Sequence, residues 1–374
     1  MAGIYLHIPF CKRACHYCNF HFSVSQSLLP QMVKAIVHEA ELRNAYLTEN
    51  ISTIYFGGGT PSLLLIENLH LIIDKIYSLF KVDTDAEITL EANPDDITGE
   101  KLKDWKTVGI NRLSIGVQSF FNNDLEWMNR AHNATQAYTS IERAMQNNFN
   151  NISIDLIYGT PNLTDEQWLQ NLETAKQLNV PHLSCYALTV EPNTALQKMI
   201  ALHKKENVDA EKQSRQFEIL MQWAEANNSE HYEISNFAKP GFRSKHNSSY
   251  WQGKPYLGLG PSAHSYNGIS RQWNVANNAL YIQSIEKNVV PFEIEELTST
   301  QKINEYVMTA LRTTEGVSLK SLNKLSDEKV IASIIQDAQK FIQQHLMVSE
   351  NGSLILTKKG KLFADGIAAD LFRV

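Results

Sequence analysis

Three of the four cysteines in the chain lie within one segment near its start, Cys11-Lys-Arg-Ala-Cys15-His-Tyr-Cys18. Thiols at this density form structural sites, redox pairs, zinc sites or iron-sulfur sites. Structural zinc needs a fourth protein ligand, and the only other cysteine, Cys185, is isolated in an apolar run. A redox pair of Cys15 and Cys18 leaves Cys11 unexplained. Three thiolates on a cubane cluster leave one iron free for an exogenous ligand, so the spacing favours a metal or cluster that binds something.

The elements that must position these thiols follow from the hydrophobic pattern. Between residue 4 and about residue 190, short β-branched or aromatic runs alternate with longer helical patterns, which is typical of repeated strand-helix units around a parallel sheet. The six predicted strands are residues 4–8, 53–56, 87–91, 112–117, 152–157 and 182–186. Predicted helices between them include residues 28–47, 63–80 and 165–178, the last opened by a capping box of Thr164 and Gln167.

Polar residues follow several of these strands. The second strand runs into Gly57-Gly-Gly-Thr60-Pro61, the third ends at Glu91, the fourth leads to Gln118, and the fifth carries Asp155. In barrel-like α/β folds the site lies where the carboxyl ends of the strands meet. We therefore expect these residues and the cysteine loop, which follows the first strand, to converge on one ligand. Six units are fewer than the eight of a closed barrel.

Some of these residues also have a plainer explanation. Glu91 alone could be a solvated carboxylate at the end of a strand. The glycine run lacks the Gly-Lys-Ser/Thr ending of a nucleotide P-loop, so it is either a tight turn or a loop that lets a ligand approach the backbone. Arg130 is either a surface cation or a ligand-binding residue. Asp155 stands between Ile154 and Leu156, where a carboxylate without a partner would be costly to bury. Cys185 is interpreted as a small core residue of the sixth strand.

The second half of the chain departs from this alternation. Residues 197–227 are predicted as one charged helix, residues 231–237 as a strand that closes the first domain, and residues 239–242 as the boundary turn. The next stretch, Lys245-His246-Asn247-Ser-Ser-Tyr250-Trp251, places one imidazole beside two aromatic rings. That arrangement suits axial ligation and stacking of a planar macrocycle, or an exposed loop whose aromatic rings pack back onto the barrel.

The final segment, residues 282–374, is predicted as a small, mainly helical domain. Its helices are residues 303–313, 317–322 and 328–345, and a hairpin over residues 347–356 turns at Asn351-Gly352. Helices followed by such a hairpin resemble a winged helix. Lys358, Lys359 and Lys361 would suit DNA, but acidic residues lie close by and such clusters are usually solvated faces.

Composition limits the classes of function. With 374 residues, 43% of them hydrophobic, the chain can form a large domain and a smaller one. A net charge of -6 argues against nucleic acid as a partner. The first ten residues are too short and too interrupted for a secretory signal, and the apolar stretch 63–80 carries three charges. We therefore expect a cytoplasmic protein, in which clustered thiols bind metal more often than they form disulfides.

The cysteine spacing, preceded by Tyr5-Leu-His-Ile-Pro-Phe10, resembles the signature of the radical S-adenosylmethionine (SAM) superfamily. The resemblance implies a [4Fe-4S] cluster on Cys11, Cys15 and Cys18, with SAM chelating the fourth iron. It also implies an α/β fold: an open six-unit β/α barrel of the radical SAM type followed by a smaller, winged-helix-like C-terminal domain. The positions that match SAM-contact positions of that superfamily are Tyr5, Tyr17, Gly58, Gly59, Thr60, Glu91, Gln118, Arg130 and Asp155.

Within the superfamily the chain is similar to oxygen-independent coproporphyrinogen III oxidase. The true oxidases carry another cysteine two positions after the third, where this chain has Phe20, which is the pattern of the HemW-type heme chaperones. The His-Asn-x-x-Tyr-Trp sequence is similar to the heme-binding motif of those chaperones, which implies heme binding by His246, Asn247, Tyr250 and Trp251. The implied function is a heme chaperone that binds heme and transfers it to acceptor proteins, with no catalytic residue assigned.

Two other functions compete with this interpretation. One is the oxidase reaction, in which SAM is cleaved and a porphyrinogen is oxidatively decarboxylated; Phe20 argues against it. The other is a winged-helix regulator with a metal-sensing loop, which fits the acidic balance poorly.

The implied domains are a barrel at 1–238, a connecting segment with the heme motif at 239–281 and a C-terminal domain at 282–374. The implied partners are heme, heme-accepting proteins, including membrane-associated respiratory ones, and an electron donor if SAM is cleaved.

Overall fold

The computed structural model describes residues 1–373, and a twelve-stranded sheet is its main element. At its centre, six parallel strands pair in the order in which they occur in the chain. Each contains one of the six predicted runs and extends beyond it. The strands are β1 (Ala2–Ile8), β2 (Ile51–Gly58), β3 (Val82–Ala92), β4 (Arg112–Gln118), β5 (Ile152–Tyr158) and β6 (His182–Ala187).

Helices connect the central strands. They are α1 (Leu29–Leu42), α2 (Ile66–Leu79), α3 (Gly99–Thr107), α4 (Asn122–Trp127), α5 (Ala134–Gln146) and α6 (Asp165–Gln177). The capping box predicted for α6 is present, with Thr164 and Gln167 each bonding the other's backbone. α1 ends earlier than predicted, at Leu42, and the side chain of the next residue, Arg43, turns inward and donates to Gln272 at 2.7 Å. α2 begins later than predicted, because Pro61–Leu63 forms a separate 3-10 turn.

Beyond β6 the chain forms two helices, α7 (Ala195–Ala201) and α8 (Ala210–Ala226), so the prediction of one continuous helix is wrong. His203 takes the left-handed conformation, φ 54°, just after α7, and Asp209 caps a new helix by accepting from the backbone N–H of Glu211 at 2.9 Å. A hairpin of β7 (Glu230–Glu233) and β8 (Asn236–Ala238) then pairs antiparallel with β6.

The segment predicted as a connection contributes strands to the same sheet. After α9 (Lys245–Trp251) come β9 (Tyr256–Leu259), β10 (His264–Tyr266), β11 (Ser270–Asn274), α10 (Asn278–Ile285) and β12 (Phe292–Glu296). Strand β9 lies parallel to β1, and β10 to β12 continue the sheet antiparallel. Because β1 pairs with β9 and β6 pairs with β8, the six central strands form an open arrangement, as expected.

The C-terminal residues form helices around a three-stranded sheet. They comprise α11 (Ser299–Leu311), β13 (Val317–Ser318), α12 (Leu319–Leu322), α13 (Glu328–Gln343), β14 (Met347–Glu350), β15 (Ser353–Leu356), α14 (Lys358–Lys361) and α15 (Ala364–Asp370). Asn351 and Gly352 both have positive φ in the β14–β15 turn, which confirms the predicted hairpin. The region has its own hydrophobic core, and Arg312 joins it to the buried Glu233 of β7 at 2.9 Å.

Among residues 1–373, no helix combines the length and apolar character needed to cross a bilayer.

Candidate functional site

A cavity of about 490 Å³, which we call the cysteine-lined cavity, opens at the carboxyl ends of the central strands. It brings together nearly all the residues predicted to hold the cluster and SAM. These are Cys11, Cys15, Tyr17, Cys18, Gly58, Gly59, Thr60, Glu91, Gln118, Arg130 and Asp155. The exception is Tyr5, which stacks on Tyr55 with ring centroids 6.1 Å apart and lines a different cavity.

The cysteine loop follows β1, and its three thiols are half-buried. The Thr60 hydroxyl donates to the Cys11 sulfur at 3.5 Å, and Arg130 Nη1 lies 3.2 Å from the Cys15 sulfur. Within residues 1–373, no three His, Cys, Asp or Glu side chains are close enough together to hold a single metal ion. A cubane cluster binds each thiolate at a different iron. Three thiols that line one cavity, with hydrogen-bond donors beside two of them, therefore form a donor set that fits such a cluster.

Burial favours the protonated form of two of these thiols, those of Cys11 and Cys18. It raises the pKa of Cys18 to about 11 and also raises the pKa of Cys11. Iron binding deprotonates a coordinating thiol, so cluster assembly would release these protons.

The glycine run packs closely against the end of β1. The Gly59 N–H donates to the Ile8 carbonyl at 2.9 Å, and a Cβ at Gly59 would lie 2.6 Å from the Phe10 carbonyl oxygen. Gly58 has φ 103°, and a Cβ there would lie 2.7 Å from the His7 ring. The two glycines thus allow the ends of β1 and β2 to meet, and they also line the cavity.

Arg130 is fixed inside the site and is not a surface cation. Besides Cys15, its guanidinium donates to Asn93 at 2.8 Å and to the Gly116 carbonyl at 2.9 Å, and it lies 3.4 Å from the Tyr17 hydroxyl. Its Nε is buried without a hydrogen-bond partner in the described part of the chain. Asn93 was missed by the sequence analysis, although its place directly after β3 is the signal that identified Glu91.

Two carboxylates face the cysteine-lined cavity, Glu91 from β3 and Asp155 from β5, with β4 between the two strands. Burial raises the pKa of Glu91 to about 7, although a hydrogen bond from the Tyr55 hydroxyl at 2.8 Å acts in the opposite direction. Burial likewise raises the pKa of Asp155 to about 6, opposed by a hydrogen bond with Ser184 and by the charge of Arg130. Such carboxylates suit a ligand that brings hydroxyl groups or positive charge.

Gln118 ends β4 in a strained conformation. Its φ is 67°, in the left-handed region, and the pairing of β4 with β5 shifts between Ile115 and Gln118. Strain at a non-glycine residue is concentrated at functional sites, and Gln118 borders the cavity beside Gly116 and Arg130.

A second cavity of about 820 Å³, which we call the aromatic cavity, lies between the main sheet and α11. Its aromatic lining includes Tyr5, Tyr250, Trp251, Tyr256, Tyr266 and Tyr306, and its histidines are His7, His21 and His264. Asn19 and Phe20 border both cavities, which places Phe20 between them with 68% of its surface exposed. The cavity escaped the sequence analysis because its walls come from segments far apart in the chain.

The predicted heme motif is divided between this cavity and the core. Tyr250 and Trp251 line the aromatic cavity, whereas His246 and Asn247 do not. His246 is 1% exposed and stacks on Tyr55 with ring centroids 4.8 Å apart. Its Nδ1 lies 2.8 Å from the Thr53 hydroxyl and its Nε2 lies 2.8 Å from the Tyr250 hydroxyl. Burial lowers the pKa of His246 to about 3.

Two family models match the chain. Residues 5–175 match the Radical SAM superfamily, and residues 297–363 match the HemN C-terminal domain.

Known relatives and a solved structure match the chain over most of its length. Heme chaperone HemW from Bacillus subtilis (strain 168) is 36% identical over 98% of both chains. Heme chaperone HemW from Escherichia coli (strain K12) is 34% identical over 70% of this chain and 69% of its own. Coproporphyrinogen III oxidase (HemN) from Escherichia coli superposes with a TM-score of 0.86 at 22% identity, covering 99% of this chain and 90% of the oxidase. That structural likeness confirms the fold.

Proposed function

The chain belongs to the HemW heme chaperone family of the radical SAM superfamily, and from this premise we propose that it binds heme and transfers it to acceptor proteins. The observation that carries the proposal is the aromatic cavity of about 820 Å³ beside the cysteine-lined cavity. A volume of that size, with flat aromatic walls and a few histidines, suits a large planar macrocycle.

In this proposal the cysteine-lined cavity holds resident cofactors. Cys11, Cys15 and Cys18 would hold a [4Fe-4S] cluster, which supplies one-electron chemistry and a free iron position when bound. Arg130 keeps a positive charge against Cys15, and Asn93 and Gly116 orient its guanidinium.

The remaining residues of this cavity are proposed to bind SAM. Glu91 and Asp155 would accept hydrogen bonds from hydroxyl groups and face positive charge, while Gly58 and Gly59 leave room for a ligand beside the backbone. Tyr5 lines the neighbouring cavity, so its proposed SAM contact would be made from the boundary between the two.

Phe20 distinguishes this function from the oxidase reaction. It occupies the position at which the true oxidases carry a further cysteine, and it borders both cavities with an apolar ring that provides neither a thiol nor a titratable group. SAM would accordingly serve assembly or regulation, and no side chain is assigned a catalytic role. We place the exchange of heme with acceptor proteins in the cytoplasm, where clustered thiols stay reduced.

Incubation with a porphyrinogen separates the two activities. Anaerobically reconstituted, reduced protein is mixed with SAM and coproporphyrinogen III, and the products are separated by chromatography. We expect no decarboxylated product, together with hemin binding by the same preparation, followed by its Soret absorbance. A known coproporphyrinogen oxidase under identical conditions is the positive control. Sustained formation of protoporphyrinogen, or the absence of any saturable hemin binding, would overturn the proposal.

A further inference from the structure

The histidines around the aromatic cavity differ in how many of their ring nitrogens are free to bind a metal. His7 uses both: Nε2 lies 2.9 Å from the His21 carbonyl and Nδ1 lies 3.3 Å from the Tyr5 hydroxyl. His21 uses one, with Nε2 2.7 Å from the Asn278 amide oxygen. His264 has no side-chain hydrogen bond to any residue between 1 and 373, and it is exposed on β10. A neutral imidazole binds a metal through one ring nitrogen that makes no hydrogen bond, so His7 offers none, His21 offers one and His264 offers both.

Building on the proposed heme function, we propose that heme lies in the aromatic cavity with His264 as an axial ligand of its iron, while His246 acts as a positioning residue. The geometry around His264 is suited to this role. Its ring stacks on Trp273 of β11, with ring centroids 6.2 Å apart and an angle of 30° between the planes. Its strand is paired on both sides, to β9 and to β11. A ligand held on a paired strand and backed by an indole keeps its orientation.

The cavity walls match the flat faces of a porphyrin. Tyr250 contacts Tyr256 edge to face, with ring centroids 4.6 Å apart, and Tyr266 extends this aromatic wall. Large rings provide apolar contact area together with a polar edge.

Cations at the cavity suit the two propionate carboxylates of heme. Lys254 and Lys302 both line it, and neither makes an ion pair within the part of the chain that the structure describes. Arg271, by contrast, is already paired with Glu305 at 3.0 Å. Two uncommitted ammonium groups beside an aromatic cavity are a recognition pattern for a planar dianion.

His246 influences this cavity through Tyr250. Its Nε2 is hydrogen-bonded to the Tyr250 hydroxyl at 2.8 Å, and its Nδ1 is hydrogen-bonded to the Thr53 hydroxyl at 2.8 Å. Removing His246 frees the tyrosine and weakens the cavity wall, but leaves the nitrogen of His264 in place. The two histidines therefore make different spectroscopic predictions.

Hemin titration of four full-length proteins tests the assignment: wild type, His264→Gly, His246→Ala and His21→Ala. Absorbance gives the dissociation constant, and resonance Raman and electron paramagnetic resonance spectra report the axial ligand. For His264→Gly we expect affinity to fall by roughly tenfold to a hundredfold, the histidine signature to disappear, and added imidazole to restore it. For His246→Ala we expect weaker binding with the signature unchanged. His21→Ala is the matched control, a histidine of the same cavity expected to keep the signature.

The outcomes are separable. If the wild-type protein fails to bind hemin, the proposed function itself fails. If wild type binds and His264→Gly gives the wild-type spectrum, only the ligand assignment is overturned. Loss of the signature in His246→Ala, restored by imidazole, would return the ligand role to His246. Thermal melting checks that each variant is folded, and His264→Met provides a second variant: its spectrum must change to that of a sulfur ligand.

Discussion

Replacing Glu91 with glutamine tests the proposed recognition of SAM by the cysteine-lined cavity. Burial raises the pKa values of Glu91 to about 7 and of Asp155 to about 6, so the unliganded cavity holds protons near neutral pH. A ligand that needs the ionised carboxylates must displace those protons. Its affinity therefore rises as the pH rises through the interval from about 6 to about 7.

The magnitude follows from these values. With a pKa of about 7, Glu91 is ionised in about a tenth of the molecules at pH 6 and in about nine tenths at pH 8, which predicts a roughly tenfold gain in affinity. Asp155, with a pKa of about 6, is about half ionised at pH 6 and adds roughly a factor of two. Glu91→Gln should therefore bind SAM more weakly at pH 8 and retain only the smaller pH dependence.

The assay is anaerobic calorimetry of SAM binding to reconstituted protein between pH 6 and pH 8.5. The amino group of SAM also titrates, so the informative quantity is the difference between variants. Tyr55→Phe is the matched control: it removes the hydrogen bond that lowers the Glu91 pKa, so its affinity profile should shift to higher pH. An affinity profile for Glu91→Gln that follows the wild-type profile, or a wild-type affinity that decreases with pH, would refute the reasoning.

Three further substitutions have defined outcomes. Arg130→Met should lower SAM affinity by roughly tenfold to a hundredfold in calorimetry, because Cys15 loses its cationic neighbour. The control Arg215→Met removes only a surface ion pair and should leave SAM affinity unchanged. Equal affinities in the two variants would contradict the role given to Arg130. Gly59→Ala should lower the free energy of unfolding by about 1–3 kcal/mol in urea titrations, because its Cβ would meet the Phe10 carbonyl at 2.6 Å; an unchanged midpoint would argue against the close contact. Phe20→Ala removes an exposed ring, so the free energy of unfolding should change by less than about 0.5 kcal/mol. The absorbance spectrum of bound hemin should change, because Phe20 lines the aromatic cavity. An unchanged spectrum would mean that Phe20 does not border the heme.

Much of the fold could be predicted because its signals are local. Each central strand is a short β-branched or aromatic run, and the hairpin at Asn351 and Gly352 needs only two residues with positive φ. The convergence of Glu91 and Asp155 was predictable as well, since carboxyl ends of parallel strands meet at one edge. The break between α7 and α8 was missed because a capping aspartate within a charged stretch gives a weak signal.

What escaped prediction depends on contacts between distant segments. The aromatic cavity joins Tyr5 of β1, Tyr250 of α9 and Lys302 of α11, and no local pattern reports that juxtaposition. The sequence predicts that His246 is available to bind heme, yet hydrogen bonds with Thr53 and Tyr250 occupy both of its ring nitrogens. A motif names residues that are close in the chain, whereas availability for a ligand depends on which neighbours the fold provides.

Heme transfer across a dialysis membrane tests the central claim most directly. Hemin-loaded protein is first freed of excess hemin. In one arrangement it is mixed with an apoprotein acceptor, and in the other a membrane that only hemin can cross separates the two proteins. The Soret band of the acceptor is followed in both. A chaperone passes its cargo through contact, so we predict rapid filling of the acceptor in the mixture and slow filling across the membrane. Equal rates in the two arrangements, or hemin that stays on the protein in both, would contradict the function proposed for this chain.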